Sequence, residues 1–267
     1  MVKAIVTGAA GRMGGRIINN IQNVEGIELS GALERKGHIV LGKDAGMFSG
    51  IGFIGVTISS ELELIIDSAD VVIDFTTAES SLENLKVVSD AGKAIVIGST
   101  RFSKAQTDEV RNYAKKVPCV FSANMSVGVN VMLKVLRDTA GILGDEYDAE
   151  IVEAHHRLKR DAPSGTALML GRAVAEGFGR DLDEVGVYER HGLIGVRTKK
   201  EIGIQTLRGG DIVGDHTVIF AGPGERLEFI HRAHTMDNFA VGAVKAALWV
   251  VGKKAGLYDM QDVLGLK

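Results

Sequence analysis

The segment from Glu153 to Ala167 carries the densest set of reactive side chains in the sequence, with two adjacent histidines and several cations. Histidine, whose pKa in water is about 6.5, exchanges protons near neutral pH. A lysine ammonium can donate a proton or stabilise developing negative charge. We therefore expect His155 and Lys159 to carry acid–base chemistry.

The second half of this segment predicts the start of a helix. Ser164 has the side chain of an N-cap, and the first amides of the helix, at Gly165 and Thr166, would bind a carboxylate. A second carboxylate would meet Lys159 or the second histidine, His156. The sequence thus favours a small dicarboxylate as the ligand.

Three other interpretations of the segment compete with this one. Zinc would need more ligands at close spacing, such as a His-Glu-x-x-His motif or a cysteine cluster, and the sequence has neither. A nucleic-acid site would interleave aromatic residues with the basic ones and would suit a basic chain, whereas this chain has a net charge of −3 and a pI near 6.2. A solvated basic loop remains an alternative.

A glycine-rich run at the N-terminus has the form G-x-x-G-x-x-G: Gly8-Ala9-Ala10-Gly11-Arg12-Met13-Gly14. It lies between a predicted strand and a predicted helix. In dinucleotide-binding folds the first glycine permits a tight turn, the second lets the backbone approach a pyrophosphate, and the third lets helix pack on strand.

An acidic residue, Glu34, lies 20 residues beyond Gly14 at the end of the second predicted strand. An acid there accepts hydrogen bonds from the adenosine ribose of NAD, whereas a guanidinium at Arg35 would hold the 2′-phosphate of NADP. The pair therefore predicts NADH or NADPH as cofactor. A solvated turn is the alternative.

Two further strand ends would reach the same edge of the sheet. They are Gly98-Ser99-Thr100 and Ser122-Ala123-Asn124-Met125. These residues would line the nicotinamide side of the cofactor site, or they form ordinary turns. Their spacing alone does not distinguish the two interpretations.

These sites need a scaffold, and the first half of the chain predicts a doubly wound α/β fold. Apolar runs without alternation indicate strands covered on both faces of a parallel sheet. The predicted strands are Val2–Val6, Ile27–Leu33, Val71–Phe75, Ala94–Ile97 and Val120–Phe121, separated by helical periods that include 80–91 and 104–116.

The second half changes character after Asn124. Ser126 would cap a long helix over 127–143, a strand follows at 149–154, and alternating strands over 197–234 indicate a largely antiparallel or mixed sheet. An apolar helix over 238–253 would return to the first domain. We predict a Rossmann-like domain formed by residues 1–126 and 237–267, and a second α+β domain, residues 127–236, for substrate binding and oligomerisation.

Composition excludes several classes of protein. The single cysteine, Cys119, cannot form an internal disulfide, which suits a reducing compartment. The N-terminus shows no signal-peptide pattern, and no apolar run approaches the ~20 residues that cross a bilayer. We expect a soluble, cytoplasmic protein with no membrane or nucleic-acid partner.

Taken together, these motifs resemble the dihydrodipicolinate reductases of lysine biosynthesis, also called 4-hydroxy-tetrahydrodipicolinate reductases. The histidine segment carries most of the resemblance. It extends in the same order through four other stretches: Gly8–Gly14, Leu33-Glu34-Arg35, Ser126–Asn130 and Gly210–Gly214.

The resemblance implies NAD(P)H-dependent reduction of the product of dihydrodipicolinate synthase to tetrahydrodipicolinate, with loss of water. It implies proton transfer by His155 and Lys159, and substrate contacts from His156, Gly165 and Thr166. The glycine run, Glu34, Arg35 and the two strand ends would contact the cofactor. It also implies a homotetramer assembled through the second sheet.

Two positions depart from the family pattern. Arg101 follows Gly98-Ser99-Thr100 where members often have glycine, and Met125 stands where an aromatic residue is common. Both bear on cofactor preference rather than on the reaction. Another two-domain dehydrogenase, or a sensor that binds NAD(H) without catalysis, would explain the glycine run but not the histidine segment.

Overall fold

The computed structural model describes residues 1–267 and divides them into two compact units, residues 1–127 with 237–267, and residues 128–236. The strands are β1 Val2–Thr7, β2 Ile27–Leu33, β3 Ile58–Ser59, β4 Val71–Asp74, β5 Ala94–Ile97, β6 Pro118–Phe121, β7 Asp148–His155, β8 Gly186–Val187, β9 Ile202–Arg208, β10 Gly214–Gly222, β11 Glu225–Ala233 and β12 Gly256–Tyr258. The helices are α1 Arg12–Gln22, α2 Ala45–Ser49, α3 Ala78–Asp90, α4 Lys104–Ala114, α5 Val127–Leu143, α6 Gly165–Gly177, α7 Leu182–Val185, α8 Asp237–Val250 and α9 Met260–Leu264.

The first unit is built on a seven-stranded parallel sheet in the order β12-β6-β5-β4-β1-β2-β3. Every residue of β4 and β5 is buried, which explains why these strands read as unbroken apolar runs. One hydrophobic cluster packs α1 and α8 on one face, and a second packs α3 and α4 on the other. The predicted Rossmann-like sheet is confirmed.

The apolar helix near the C-terminus, α8, packs in the same cluster as α1 and β1. Its close approach depends on a glycine, because a Cβ on Gly242 would stand 1.7 Å from the carbonyl oxygen of Met125. The loop after β6 therefore rests directly on the backbone of this helix.

The second unit contains a mixed sheet in the order β11-β10-β7-β9-β8. Strand β10 runs antiparallel to both neighbours, while β7 and β9 are parallel to each other. The parallel pair follows from the connection, since the chain between β7 and β9 includes α6 and so can cross over. Helices α5 and α6 share a hydrophobic cluster with the sheet.

The stretch between β2 and β4 is more ordered than its glycine content suggests. Asp44 caps α2 and accepts hydrogen bonds from the amides of Gly46, Met47, Ile54 and Gly55 at 2.8–3.2 Å. A five-residue helix and a two-residue strand are too short to leave a periodic signal, which is why the sequence predicts no element between the second and third predicted strands of this unit. None of the helices combines the length and apolar character that crossing a membrane requires.

Candidate active site

Strand β7 changes from apolar to polar along one face as it nears its carboxyl end. Its buried face begins with Ala149 and Ile151, which join the hydrophobic cluster of the second unit, and continues with Glu153 and His155. Because alternate residues of a strand share a face, the core of the unit leads directly into a pair of ionisable side chains.

The carboxyl group of Glu153 is fully buried and accepts five hydrogen bonds. Oε2 lies 2.6 Å from Nδ1 of His155 and 2.8 Å from Arg208, while Oε1 accepts from Arg208, the Ser164 amide and the Thr206 hydroxyl at 2.9–3.1 Å. Burial raises the pKa of Glu153, but the hydrogen bonds from His155, Arg208 and Ser164 outweigh burial and lower the pKa to about 2. Glu153 is therefore ionised at neutral pH.

Strand register brings these partners together. Glu153 pairs with Thr206 on β9 and with His216 on β10, and His155 pairs with Arg208. Side chains of directly paired residues stand side by side on one face of a sheet. The charged group is thus assembled from three strands.

His216 joins the same cluster from β10. Its Nε2 lies 3.1 Å from the Ser164 hydroxyl, and its ring meets that of His155 edge to face at 5.2 Å between centroids. Burial lowers the pKa of His216 to about 4, and the neighbouring rings of His155 and His231 act in the same direction. His216 is accordingly neutral at pH 7.

Helix α6 begins where the sequence predicts. Ser164 is its N-cap, with a side chain that accepts a hydrogen bond from the Ala167 amide at 3.1 Å. Gly165 is exposed and has open space where a Cβ would stand. This helix N-terminus therefore offers an accessible place for an anion next to the histidine cluster.

Lys159 lies in the loop between β7 and α6. Its side chain is 20% exposed and forms an ion pair with Asp161 at 2.9 Å. The Lys159 hydrogen bond holds the pKa of Asp161 below its usual range. His156, at the start of the loop, is half-buried, and its amide donates to the carbonyl of Ile212 at 2.7 Å.

The glycine run of the first unit has the geometry of a phosphate-binding turn. Gly8 has a φ of +64°, a left-handed conformation that favours glycine. A Cβ on Gly14 would stand 2.1 Å from the carbonyl oxygen of Gly8. Gly11 is the N-cap of α1, with no side-chain cap, and the first turn contains no acidic residue. Arg12 and Met13 open that turn, so the helix itself contributes no negative charge that would oppose an anion.

Glu34 reaches this turn from the end of β2. Its Oε2 accepts a hydrogen bond from the Ala10 amide at 3.0 Å, and its Oε1 accepts from the Arg35 amide at 3.0 Å. The neighbouring Ala9 amide donates to the carbonyl of Leu33. The residues that the sequence assigned to the ribose and to the phosphates are therefore adjacent. Arg35 itself is exposed.

The Gly98-Ser99-Thr100 strand end is organised by residues that sequence reasoning missed. Ser99 is buried and donates to Asp74 at 3.1 Å, and a Cβ on Gly98 would overlap the ring of Phe75, at 2.2 Å. The signal was present, since a carboxylate closes the apolar run of β4. Arg101 adopts a φ of +67°, which explains why glycine suits that position.

The second strand end is more enclosed. Ser122 donates to the carbonyl of Asn124 at 2.9 Å, and the Asn124 side chain accepts from the Ser126 amide at 2.9 Å. Met125 is 1% exposed and packs in the core, whereas Ala123 is exposed. The Met125 side chain is therefore not available for direct contact with a ligand, and it would affect one by fixing the shape of this loop.

The structure holds no group of three or more histidine, cysteine, aspartate or glutamate side chains arranged to bind a metal ion. Cys119 is buried, and burial raises the pKa of its thiol to about 12.

Comparison with known proteins gives a consistent result along the whole chain. Two family models match, dihydrodipicolinate reductase N-terminus over residues 2–125 and dihydrodipicolinate reductase C-terminus over residues 128–264. The 4-hydroxy-tetrahydrodipicolinate reductases of Syntrophus aciditrophicus and Geotalea uraniireducens are each 58% identical over 267 residues, covering 100% of both chains.

Solved structures show the same fold. A dipicolinate-bound dihydrodipicolinate reductase from Paenisporosarcina sp. TG-14 superposes with a TM-score of 0.76 at 24% identity, over 98% of each chain. A DAP dehydrogenase of C. glutamicum is more distant, with a TM-score of 0.57 and 12% identity over 97% of this chain and 92% of the other.

Proposed function

The chain belongs to the dihydrodipicolinate reductase family, and we propose from that premise that it catalyses the NAD(P)H-dependent reduction of 4-hydroxy-tetrahydrodipicolinate to tetrahydrodipicolinate, with loss of water. It is an oxidoreductase of the diaminopimelate route to lysine. One observation in the structure supports the reaction above the others. A histidine held by a buried carboxylate, a loop lysine and a capped helix N-terminus converge on one end of the second unit.

We assign the protein's part of the chemistry to His155 and Lys159. Reduction of the substrate adds a hydride and a proton, and a reduced nicotinamide supplies the hydride. Either His155 or Lys159 can hold the proton, since their side chains keep 11% and 20% of their surface exposed. The ammonium of Lys159 also offsets negative charge that develops on the substrate.

The substrate is a dicarboxylate, and two sets of groups suit its carboxylates. The N-terminus of α6, at Ser164, Gly165 and Thr166, binds one through backbone amides and the helix dipole. His156 with Lys159 binds the other. Lys159 would exchange its ion pair with Asp161 for one with the substrate.

The cofactor is bound by the first unit. The glycine run from Gly8 to Met13 holds the pyrophosphate, Glu34 accepts from the ribose hydroxyls, and Arg35 is placed to meet a 2′-phosphate. The strand ends at 98–100 and 122–125 face the nicotinamide side. Because an acid and a guanidinium are adjacent, we expect both NADH and NADPH to be used, as a comparison of kcat/KM for the two would show.

Oligomerisation belongs to the second unit in this proposal. Strand β11 is exposed along most of its length, and Leu207 of β9 and Ile230 of β11, which lie on the face of the sheet opposite the hydrophobic cluster, are 57% and 52% exposed. Apolar side chains on an uncovered sheet suit the homotetramer implied by the family, and Ile230→Lys should reduce the mass measured by light scattering. We place the enzyme in the cytoplasm with its cofactor pool.

The defining experiment is a coupled assay. Purified protein should oxidise NADH or NADPH only when dihydrodipicolinate synthase and its substrates are added, and absorbance at about 340 nm follows the reaction. Cofactor binding, measured by fluorescence, is the control. If the protein bound the cofactor but oxidised none of it, the proposed reaction would be wrong and a non-catalytic NAD(H) sensor would be favoured.

A further inference from the structure

Glu153 is a carboxylate that the reaction scheme leaves without a role. It has no exposed surface, so it cannot touch a bound substrate through solvent-accessible atoms. It nevertheless links every element of the cluster: His155 on its own strand, Thr206 and Arg208 on β9, and the Ser164 amide at the start of α6. A buried charge with such partners invites a functional explanation.

The geometry fixes one proton of the His155 ring. An ionised carboxylate can only accept, so the 2.6 Å contact between Oε2 and Nδ1 requires that Nδ1 carry a hydrogen. In the neutral ring the lone pair then lies on Nε2. A neutral histidine in water has no such constraint, so the tautomer is imposed by the protein.

Nε2 is kept accessible by a second feature. A Cβ on Gly214 would stand 3.0 Å from Nε2 and 3.4 Å from the adjacent ring carbon. Glycine at the first residue of β10 therefore leaves the space beside the nitrogen that exchanges a proton. Glu153 holds one side of the ring while the absence of a side chain frees the other.

We propose that Glu153 is a positioning residue that holds His155 as the Nδ1–H tautomer, so that Nε2 is the atom that gives up and takes back the proton. When Nε2–H donates, its N–H bond breaks, the proton moves to the substrate and the ring returns to the neutral Nδ1–H form. Glu153 stays ionised throughout. The same carboxylate binds the Ser164 amide, so it also sets the ring's distance from the start of α6. This inference rests on the proposed role of His155.

Glu153→Gln tests the proposal because its amide has a predictable orientation. Oε1 accepts three hydrogen bonds, and two of its partners, Arg208 and the Ser164 amide, can only donate. Oε2 accepts two, from Arg208 and from the His155 ring nitrogen, and that nitrogen can become an acceptor. The amide oxygen of glutamine is therefore expected at the Oε1 position and its NH2 group beside Nδ1. That NH2 group needs an acceptor, so the His155 tautomer should invert to Nε2–H.

Glu150→Gln is the matched control. Glu150 lies on the same strand but on the opposite face, and it is bound by Arg190 and Arg197 at 2.7–3.0 Å. The substitution neutralises a carboxylate that arginines bind in a cluster without a histidine, at a site where the glutamate side chain is 25% exposed. If Glu153 had a purely structural role, Glu153→Gln would lose thermal stability, but its kcat would stay close to that of Glu150→Gln.

Long-range ¹⁵N–¹H spectra of the histidine rings report the tautomer without substrate or cofactor. We expect Nδ1–H in the wild type, Nε2–H in Glu153→Gln, a kcat lowered by about 100-fold in that variant only, and unchanged NADH affinity. An Nε2–H tautomer in the wild-type protein would overturn the proposal even if the variant failed to fold. So would an inverted tautomer with wild-type kcat.

The proposed function and the positioning role of Glu153 can be rejected separately. Absence of substrate-dependent NADH oxidation in the wild-type protein would reject the proposed function, whatever the ring spectra show. A normal wild-type reaction combined with a tautomer that does not respond to Glu153→Gln would reject only the positioning role.

Discussion

Each unit buries one carboxyl group completely near the end of a strand, and the two groups are held by different chemistry. Asp74 at the end of β4 accepts five hydrogen bonds at 2.7–3.1 Å, all from neutral donors: the Thr76 amide and hydroxyl, the Ser81 and Ser99 hydroxyls, and the Asn84 side-chain amide. Glu153 also accepts five, but from an arginine, a histidine, a hydroxyl and an amide.

The difference separates two uses of a buried carboxyl group. Neutral hydroxyls and amides can satisfy Asp74 but cannot exchange protons near neutral pH, so its network is suited to shaping the loop that follows β5. The Glu153 network contains groups that titrate or carry charge, so it is suited to proton transfer. The glycine run of the first unit is shaped by its backbone, whereas the cluster around Glu153 in the second unit is held together by charged groups.

Removal of Lys159 should have the largest effect of all. Lys159→Ala removes a proton donor and a stabilising charge, so kcat should fall by ~100 to 10,000-fold while NADH affinity stays unchanged. Steady-state assays and fluorescence titration measure the two quantities. Lys134→Ala is the matched control, because Lys134 also pairs with an aspartate, Asp138 at 3.1 Å, but lies on α5. If kcat fell by less than tenfold, Lys159 would not be the proton donor and His155 alone would have that role.

Asp74→Ala should affect stability and cofactor binding more than catalysis. The substitution leaves several buried donors without an acceptor, so the free energy of unfolding should fall by about 3 kcal/mol. Because Ser99 loses its anchor, KM for NADH should rise while kcat at saturating cofactor changes little. Chemical unfolding and steady-state kinetics test this.

Asp70→Ala is the control for that variant. Asp70 precedes β4, and its carboxylate accepts a single hydrogen bond, from the exposed Lys3 amide of β1 at 2.8 Å. The free energy of unfolding should therefore fall by less than about 1 kcal/mol. If Asp74→Ala lowered kcat as strongly as Glu153→Gln, the proposed division between loop shaping and proton transfer would be wrong.

The sequence predicted the motifs that lie within short stretches of chain, but not the contacts that depend on how distant strands pair. The glycine run, Glu34 and the segment from His155 to Thr166 each lie within a short stretch whose spacing has a physical meaning. Glu153 lay inside the recognised segment without a role, because its partners Thr206 and Arg208 come more than 50 residues later. Only the parallel register of β7 with β9 brings them together, and no local pattern encodes that pairing.

The same limit applies to the first unit. The Val71–Phe75 run predicted a buried strand, and its acid Asp74 was visible, but three of the five donors to Asp74 come from α3 and from the residue pair after β5. Their convergence follows from the order of strands in the sheet. The left-handed conformation of Arg101 was likewise not predictable from the residue type, since arginine rarely adopts it.

The smallest effect expected is a pH dependence confined to the charged cluster. His216 faces Glu153 and His155 on β7, His231 on β11 and the Ser164 hydroxyl. Its pKa is lowered by burial to about 4 in the folded protein, against 6.5 for an unperturbed histidine, so the unfolded chain binds a proton first as the pH falls. The stability that His216 contributes is therefore complete above about pH 6.5 and is lost between about pH 6.5 and pH 4.

From about pH 7.5 to about pH 5.5 this amounts to about 1 kcal/mol in the free energy of unfolding, measurable by guanidinium titration followed by circular dichroism. His216→Gln retains a hydrogen-bonding group for Ser164 but does not titrate, so its stability should fall less over the same range. Equal slopes in the two proteins would mean that His216 is protonated as readily when folded as when unfolded.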